Sequence, residues 1–419
     1  MNEALLPLEQ LSPTATEAVF ASNPGSPAAA TGRENLFGLD REGLRERFAA
    51  LGETPWRADQ LMQWIYRRGV ADFAAMTNLG KALRAQLAEQ FEIRLPECVA
   101  EQQSADGTRK WVLQLDSRGG RPPAAIETVY IPEHGRGTLC ISSQAGCAMD
   151  CAFCSTAQGG FSHNLSAGEI IAQVWFAAQT LAVAPGTEAA ASGKAHGREP
   201  LLRGGDEVIS NIVFMGMGEP LANYTNVRTA IRIMLDDFGF GLSKRRVTVS
   251  TSGLVPFIDR LAGDVDTALA ISLHAPDDAL RNQLVPLNRK YPLDELMAAC
   301  HRYVAGKDRK THIVFEYVML DGVNDQPERA HQLAQRLAGL PAKVNLIPFN
   351  PFPATRFRRS SKQAIERFAD ILHRKHVVTT TRRTRGEDID AACGQLVGRI
   401  RSRQSKRLGE RSEPPVRAS

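Results

Sequence analysis

The chain has 419 residues, 43% apolar and 23% charged, the balance of an ordinary globular protein of two or three domains. That is enough apolar material for a core that needs neither disulfides nor a metal to hold it. No stretch has the length and apolarity of a membrane span, and the N-terminus carries Glu3, Glu9 and Glu17 but no Lys or Arg before Arg33, unlike a secretory or mitochondrial leader. A cytoplasmic protein with no membrane role is the expectation. The net charge of +5 sits wholly in the last 21 residues, where seven basic residues between Arg399 and Arg417 face only Glu410 and Glu413. A basic tail suits a polyanion such as RNA, but a solvated disordered end is the better explanation.

In chain order, residues 1–34 (Pro7, Pro13, Pro24, Pro27 and the Ala28–Ala30 run) read as a flexible leader. Residues 35–95 carry helical apolar periods in three runs, Asp40–Gly52, Trp56–Gly69 and Leu79–Phe91, which predicts a helical accessory domain. Residues 96–133 form a small β extension in which 109–115 and 125–131 alternate like strands of a separate small sheet. Over 134–398 the pattern becomes strand, helix, strand, with strands at 138–142, 210–215, 246–251, 267–273, 312–318, 343–347 and 376–381. Helical stretches separate most of them. Ser166–Leu181, for example, opens with the capping box Ser166-x-x-Glu169. Repeated β-α units imply an α/β fold with a parallel sheet of six or seven strands and right-handed crossovers. That is short of a closed eight-stranded barrel, so a partial (β/α)6-type barrel is expected. Residues 183–208 read as a mobile insertion, and 399–419 as a disordered basic tail.

Seven cysteines, an odd number, fit a reducing compartment better than a disulfide scaffold. Cys147, Cys151 and Cys154 form a C-x3-C-x2-C run just after the first strand of the β-α series, where the active-site loops of such folds lie. Three thiolates can hold three irons of a [4Fe–4S] cluster and leave the fourth open to a small molecule. Zinc is the alternative, with His163 completing a Cys3His set, although zinc sites usually present paired C-x2–4-C knuckles.

With Phe153 before the last cysteine, this run resembles the radical S-adenosylmethionine (SAM) superfamily. The longer strings QAGCAMDCAFCSTAQGGF, FMGMGEPLANY, STSGLVP, ISLHAP, NLIPFNPF and RGEDIDAACGQL are similar to a narrower family. They resemble the radical SAM adenine-C2 methyltransferases of large-subunit (23S) ribosomal RNA and tRNA, the RlmN family. The resemblance runs in order from about Leu36 to Gly398 and leaves out the leader, the 183–208 insertion and the tail. It implies a radical SAM barrel, a [4Fe–4S] cluster on Cys147, Cys151 and Cys154, and two SAM molecules per turnover. Its partners would be 23S rRNA, tRNA and a flavodoxin-type electron donor, with the enzyme acting as a monomer.

Cofactor contacts carried over by the resemblance are Gly218 and Glu219 in GMGEP, Ser250 in STSG, Ser272, Leu273 and His274 in SLHAP, and Asn350 in PFNP. The glycine pair would allow close backbone approach, and the carboxylate can accept from the SAM ammonium. Taken alone, GxGEP reads as easily as a strand-end turn, and His274 as a satisfied loop histidine. The Arg67/Arg68, Arg356/Arg358/Arg359 and Arg382/Arg383/Arg385 groups could track phosphate, though each alone reads as a solvated face.

Cys98 and Cys300 read as buried small hydrophobes. Adenine C2 lies between two ring nitrogens and is not nucleophilic, so direct attack on the SAM methyl is implausible. A radical route first needs the methyl parked on a nucleophile, and the Cys393 thiolate suits that step. The resemblance implies the rest. A 5′-deoxyadenosyl radical takes hydrogen from the Cys393 methyl, the methylene adds to C2, and Glu127 takes the C2 proton. Cys140 then releases product through a transient Cys140–Cys393 disulfide. Two competing readings are a C8-methylating relative of the antibiotic-resistance type and a zinc-stabilised RNA-binding module.

Overall fold

The computed structural model describes residues 33–115, 124–182, 202, 209–308, 311–352, 355–389, 391 and 394–396. The expected leader and basic tail, most of the 183–208 insertion and Cys393 lie outside the described residues.

Three N-terminal helices appear where the periodicity puts them, α1 (Arg41–Ala50), α2 (Pro55–Tyr66) and α3 (Lys81–Gln90). The Asp40 carboxylate caps α1 by accepting from the Gly43 N–H at 3.1 Å, and Pro55 begins α2 where its missing N–H costs nothing. Their apolar faces (Leu44, Phe48, Leu61, Ile65, Leu83, Leu87) are buried. These helices dock on α4 (Ala167–Ala182), the first long helix of the barrel. The Trp175 indole donates to the Ile65 carbonyl at 2.9 Å and packs 6.0 Å from the Phe37 ring. The capping box at the start of α4 is reciprocal, Ser166 N–H to Glu169 Oε2 at 2.7 Å and Glu169 N–H to Ser166 Oγ at 3.2 Å.

Ten strands form one sheet: β1 (Glu97–Gln103), β2 (Arg109–Gln114), β3 (Ala125–Glu133), β4 (Arg136–Cys140), β5 (Asn211–Phe214), β6 (Val247–Thr251), β7 (Ala268–Ser272), β8 (Ile313–Met319), β9 (Ala342–Pro348) and β10 (Val378–Thr381). Each lies beside its sequence neighbour. Pairing is antiparallel from β1 to β4 and parallel from β4 to β10, so seven parallel strands form the expected open barrel. Helices α5 (Tyr224–Leu235), α6 (Val255–Asp264), α7 (Asp278–Leu284), α8 (Leu293–Val304), α9 (Pro327–Arg336) and α10 (Lys362–Arg374) supply the remaining crossovers. No helix among the described residues is long and apolar enough to cross a membrane.

Two expectations change. The β extension is not a sheet of its own, because β3 pairs with β4 through Val129–Cys140 and its neighbours and so continues the barrel sheet. Helix α4 covers that junction, with Phe176 edge-on to Trp111 at 5.9 Å and Gln173 accepting from the Thr128 hydroxyl at 2.8 Å. Cys98 is exposed rather than buried, because it lies on β1, an edge strand that the alternation does not reveal and whose residues almost all face solvent.

Candidate active site

The C-terminal ends of the parallel strands surround a cavity of about 1020 Å³, counting its open mouth. Cys147, Cys151 and Cys154 line it together with Gly218, Glu219, Ser250, Ser272, His274 and Asn350. Nine of the residues singled out from the sequence therefore share one chamber. Leu273 does not face it; the side chain is wholly buried, and its carbonyl accepts from the Arg281 guanidinium at 3.0 Å.

A two-stranded ribbon, Gln144–Gly146 against Phe161–Asn164, closes the cysteine loop. At Gly146 the backbone has φ +82°, and a Cβ there would meet the Gly160 carbonyl oxygen at 1.9 Å, so only glycine fits. Burial pushes the Cys147 thiol up to about 12, and Cys151 rises well above its ordinary value for the same reason. Holding all three as thiolates needs local positive charge, which an iron core supplies. His163 is not among the lining residues; it pairs with Ala145 in the ribbon and has Nδ1 3.1 Å from the Ser162 hydroxyl.

In GMGEP the glycines permit close approach to other parts of the protein. A Cβ at Gly216 would lie 2.7 Å from the Ile141 carbonyl oxygen, and one at Gly218 (φ +97°) would lie 2.4 Å from Gln144 Cβ. The turn is thereby locked against the segment that leads into the cysteine loop. Glu219 is buried, which raises its pKa. Donation from the Ser252 N–H (2.7 Å), the Ser252 hydroxyl (2.8 Å) and the Leu221 N–H (3.0 Å) opposes that rise and favours the carboxylate. A cation in the cavity would meet this acceptor.

Arg281, wholly buried on α7, ties the next two strand ends together. It donates to the carbonyls of Ser252 (2.7 Å), Ser272 (3.0 Å) and Leu273 (3.0 Å) and to Asn288 Oδ1 (2.7 Å). Arg281→Met is expected to destabilise the protein by about 3–5 kcal/mol, read from urea unfolding, because four buried acceptors lose their donor. A loss below about 1 kcal/mol would show that water replaces the guanidinium.

His274 has φ +63°, and its Nδ1 accepts from the Val318 N–H at 3.1 Å, which leaves the proton of the neutral ring on Nε2. Burial, helped by the Arg281 charge, lowers its pKa from 6.5 to about 3. Between those values the unfolded chain binds a proton here that the folded chain does not, so stability present above pH 6.5 is lost as pH falls. His274→Gln is expected to flatten the fall of the urea midpoint between about pH 6.5 and 5. Equal slopes for the two proteins would mean the ring protonates in place.

Cys140 and Glu127 do not line the cavity. In register, Cys140 pairs with Val129 and Val213, and Met215, two residues beyond Val213, does line it. Paired residues and residues two apart share a face, so Cys140 and Glu127 lie on the cavity side of the sheet. Glu127 is buried 3.9 Å from the Lys110 ammonium, and its carbonyl accepts from the Ser142 hydroxyl at 2.8 Å. The residue after Cys393, Gly394, lines the cavity and its carbonyl accepts from the Ser155 N–H at 2.7 Å, next to Cys154.

The model for the "Ribosomal RNA large subunit methyltransferase N-terminal domain" matches residues 34–93, and that for the "Radical SAM superfamily" matches residues 200–334. A "Dual-specificity RNA methyltransferase RlmN" from Alkalilimnicola ehrlichii is 53% identical over 90% of this chain and 98% of its own length. The protein of that name from Pseudomonas putida is 52% identical over 90% of this chain and 94% of its own. The chain belongs to the RlmN family. A solved radical SAM methyltransferase from Sphaerobacter thermophilus is 45% identical, covers 86% of this chain and 98% of its own, and superposes with a TM-score of 0.74.

As an RlmN-family member the protein is a radical SAM RNA methyltransferase, with a [4Fe–4S] cluster and SAM as its cofactors. The three cysteines on one wall of a chamber that also holds Glu219 fit that pair of groups. The RlmN match does not favour the C8 and zinc readings. Sequence reasoning missed Glu316, which lines the cavity outside any motif, and Arg281, which braces the loops behind it; Arg382, singled out for phosphate, lines the cavity instead. Most of the arginines singled out for phosphate are engaged within the protein. Arg67 donates to the Asp237 carbonyl (3.0 Å), Arg358 pairs with Asp321 (3.1 Å), and Arg359 bonds Asn350 and Glu387.

Proposed function

We propose that the protein methylates C2 of an accessible adenine in large-subunit ribosomal RNA and in tRNA, carrying the methyl group on Cys393. The observation that carries this reading is the tether of the Cys393 segment to the cysteine loop. Ser155 N–H donates to the Gly394 carbonyl at 2.7 Å, and the Thr156 hydroxyl to the Leu396 carbonyl at 2.8 Å. A thiol one residue from that anchor would lie close to a methyl donor bound in the cavity.

The bound cluster would supply the electron that cleaves SAM to a 5′-deoxyadenosyl radical. Glu219 and the Nε2–H of His274 would orient SAM, and Arg281 would hold the Ser252 and Ser272 strand ends in place around it. Cys393, as thiolate, takes the methyl that later reaches C2. Glu127 removes the C2 proton, with Lys110 beside it to favour the carboxylate. The Cys140 thiolate attacks the Cys393 sulfur, forming the S–S bond as the sulfur–carbon bond to the base breaks, and the freed carbon keeps that electron pair and takes up a proton to become the methyl group. Free thiols at Cys98 and Cys300 agree with a cytoplasmic setting, where a flavodoxin-type protein would be the electron donor.

The test is anaerobic incubation of reconstituted protein with SAM, reductant and protein-free ribosomal RNA or tRNA, followed by nucleoside mass spectrometry. The expected product is 2-methyladenosine. 8-Methyladenosine would move the reaction to the other carbon, and no methyladenosine from cluster-loaded protein would overturn the substrate.

A further inference from the structure

The residues assigned to SAM come mainly from the ends of β5, β6 and β7. The later strands bring a second polar group to the same chamber. Glu316 on β8 lines it and is only 5% exposed, and Arg382, just past β10, lines it as well. The carboxylate is built into place: Asn345 Nδ2 donates to Glu316 Oε2 at 2.8 Å, and the Thr380 hydroxyl donates to Asn345 Oδ1 at 3.3 Å. Register sets the side chains of Ser272, Glu316, Asn345 and Thr380 in one row across β7–β10. Arg382 is anchored by its own N–H, which donates to the Leu346 carbonyl at 2.8 Å. Burial raises the Glu316 pKa, and the Arg382 charge, then the Asn345 hydrogen bond, pull it back toward the carboxylate. A buried carboxyl group with no catalytic part in the scheme above carries a desolvation cost that calls for a ligand or a structural reason.

We propose that Glu316 and Arg382 recognise the base to be methylated, Glu316 accepting from the adenine 6-amino group and Arg382 donating to N7. This rests on the adenine-C2 reading. A carboxylate only accepts and a guanidinium only donates, so two such groups lining one chamber and feeling each other's charge match an edge that offers a donor next to an acceptor. Adenine offers that edge as N6–H2 and N7, whereas guanine puts an oxygen, O6, where Glu316 would need a donor. The edge lies across the ring from C2, so gripping it turns C2 away from the pair, whereas C8, next to N7, would lie against Arg382. The pair thus selects adenine over guanine and C2 over C8. SAM carries an adenine with the same edge, and the test separates the two sources.

Cluster-loaded protein is given the RNA substrate with adenosine, purine riboside (no 6-amino group) or 7-deazaadenosine (no N7) at the target position, and SAM affinity is measured separately by equilibrium binding. Wild type is expected to lose at least about 100-fold in kcat/KM on purine riboside and about tenfold on 7-deazaadenosine. Glu316→Met should treat adenosine and purine riboside within about fivefold of each other, and Arg382→Met should become indifferent to N7, with SAM affinity unchanged in both. If Glu316→Met fails to fold, the half-exposed Arg382 position still gives the N7 comparison. Wild type that uses all three bases equally, or variants that lose SAM binding, would overturn the proposal. Wild type inactive on adenosine itself would overturn the adenine-C2 reading instead.

Discussion

Cys393→Ala is expected to bind its cluster and SAM as wild type does and to form no 2-methyladenosine at all. The reason is chemical. C2 of adenine cannot attack a sulfonium methyl, so without a thiolate to carry the carbon the reaction has no path that another side chain shortens. The loss is therefore all-or-none, unlike the hundredfold effects of removing an orienting group. Iron content, SAM binding and product are measured on the same preparation, since a variant that loses iron would say nothing about the thiol. Wild-type product from Cys393→Ala would sink the methyl-carrier role. Cys393→Ser is the stricter control, because it keeps the size and loses only the sulfur.

The second large effect is at Cys140. Cys140→Ala is expected to stop after one turnover with RNA covalently attached to the protein through Cys393. With no thiolate to attack the Cys393 sulfur, the sulfur–carbon bond to the base stays intact. The adduct should survive a denaturing gel, disappear on nuclease treatment and leave a nucleotide mass on the peptide that contains Cys393. Multiple turnovers by Cys140→Ala would mean another nucleophile resolves the adduct. Cys98 is ill placed for that, exposed on the edge strand β1, and Cys300 is buried on α8. Cys140 lies on the cavity side of β4 and is buried, as a resolving thiol shielded from bulk oxidants would be.

Much of this site was legible because its residues come in strings tied to strand ends. A strand followed by a loop is a local signal, so the alternating apolar runs at 210–215, 246–251 and 267–273 placed GMGEP, STSG and SLHAP on one rim before any packing was known. The cysteine spacing was legible for the same reason, since its loop geometry is local. What the glycines of GMGEP touch was not legible. Their neighbours, Ile141 and Gln144, lie some 75 residues back in the chain, and only the β4–β5 pairing brings them together. Strand β1 was missed because a strand with both faces in water shows no alternation.

The sequence by itself determined the class of chemistry, through three cysteines at cluster spacing and the ordered strings that resemble the RlmN family, and it determined the β-α repeat that carries them. Only the tertiary structure decided three further points. The β extension joins the barrel sheet; Arg281 is the internal brace of two strand ends; and Glu316 and Arg382 line the same chamber. In each case the deciding contact is between residues far apart in the chain or on different strands. A lone Arg or Glu in a sequence carries no mark of burial. Its function appears only when packing has removed water from it and left it facing a cavity.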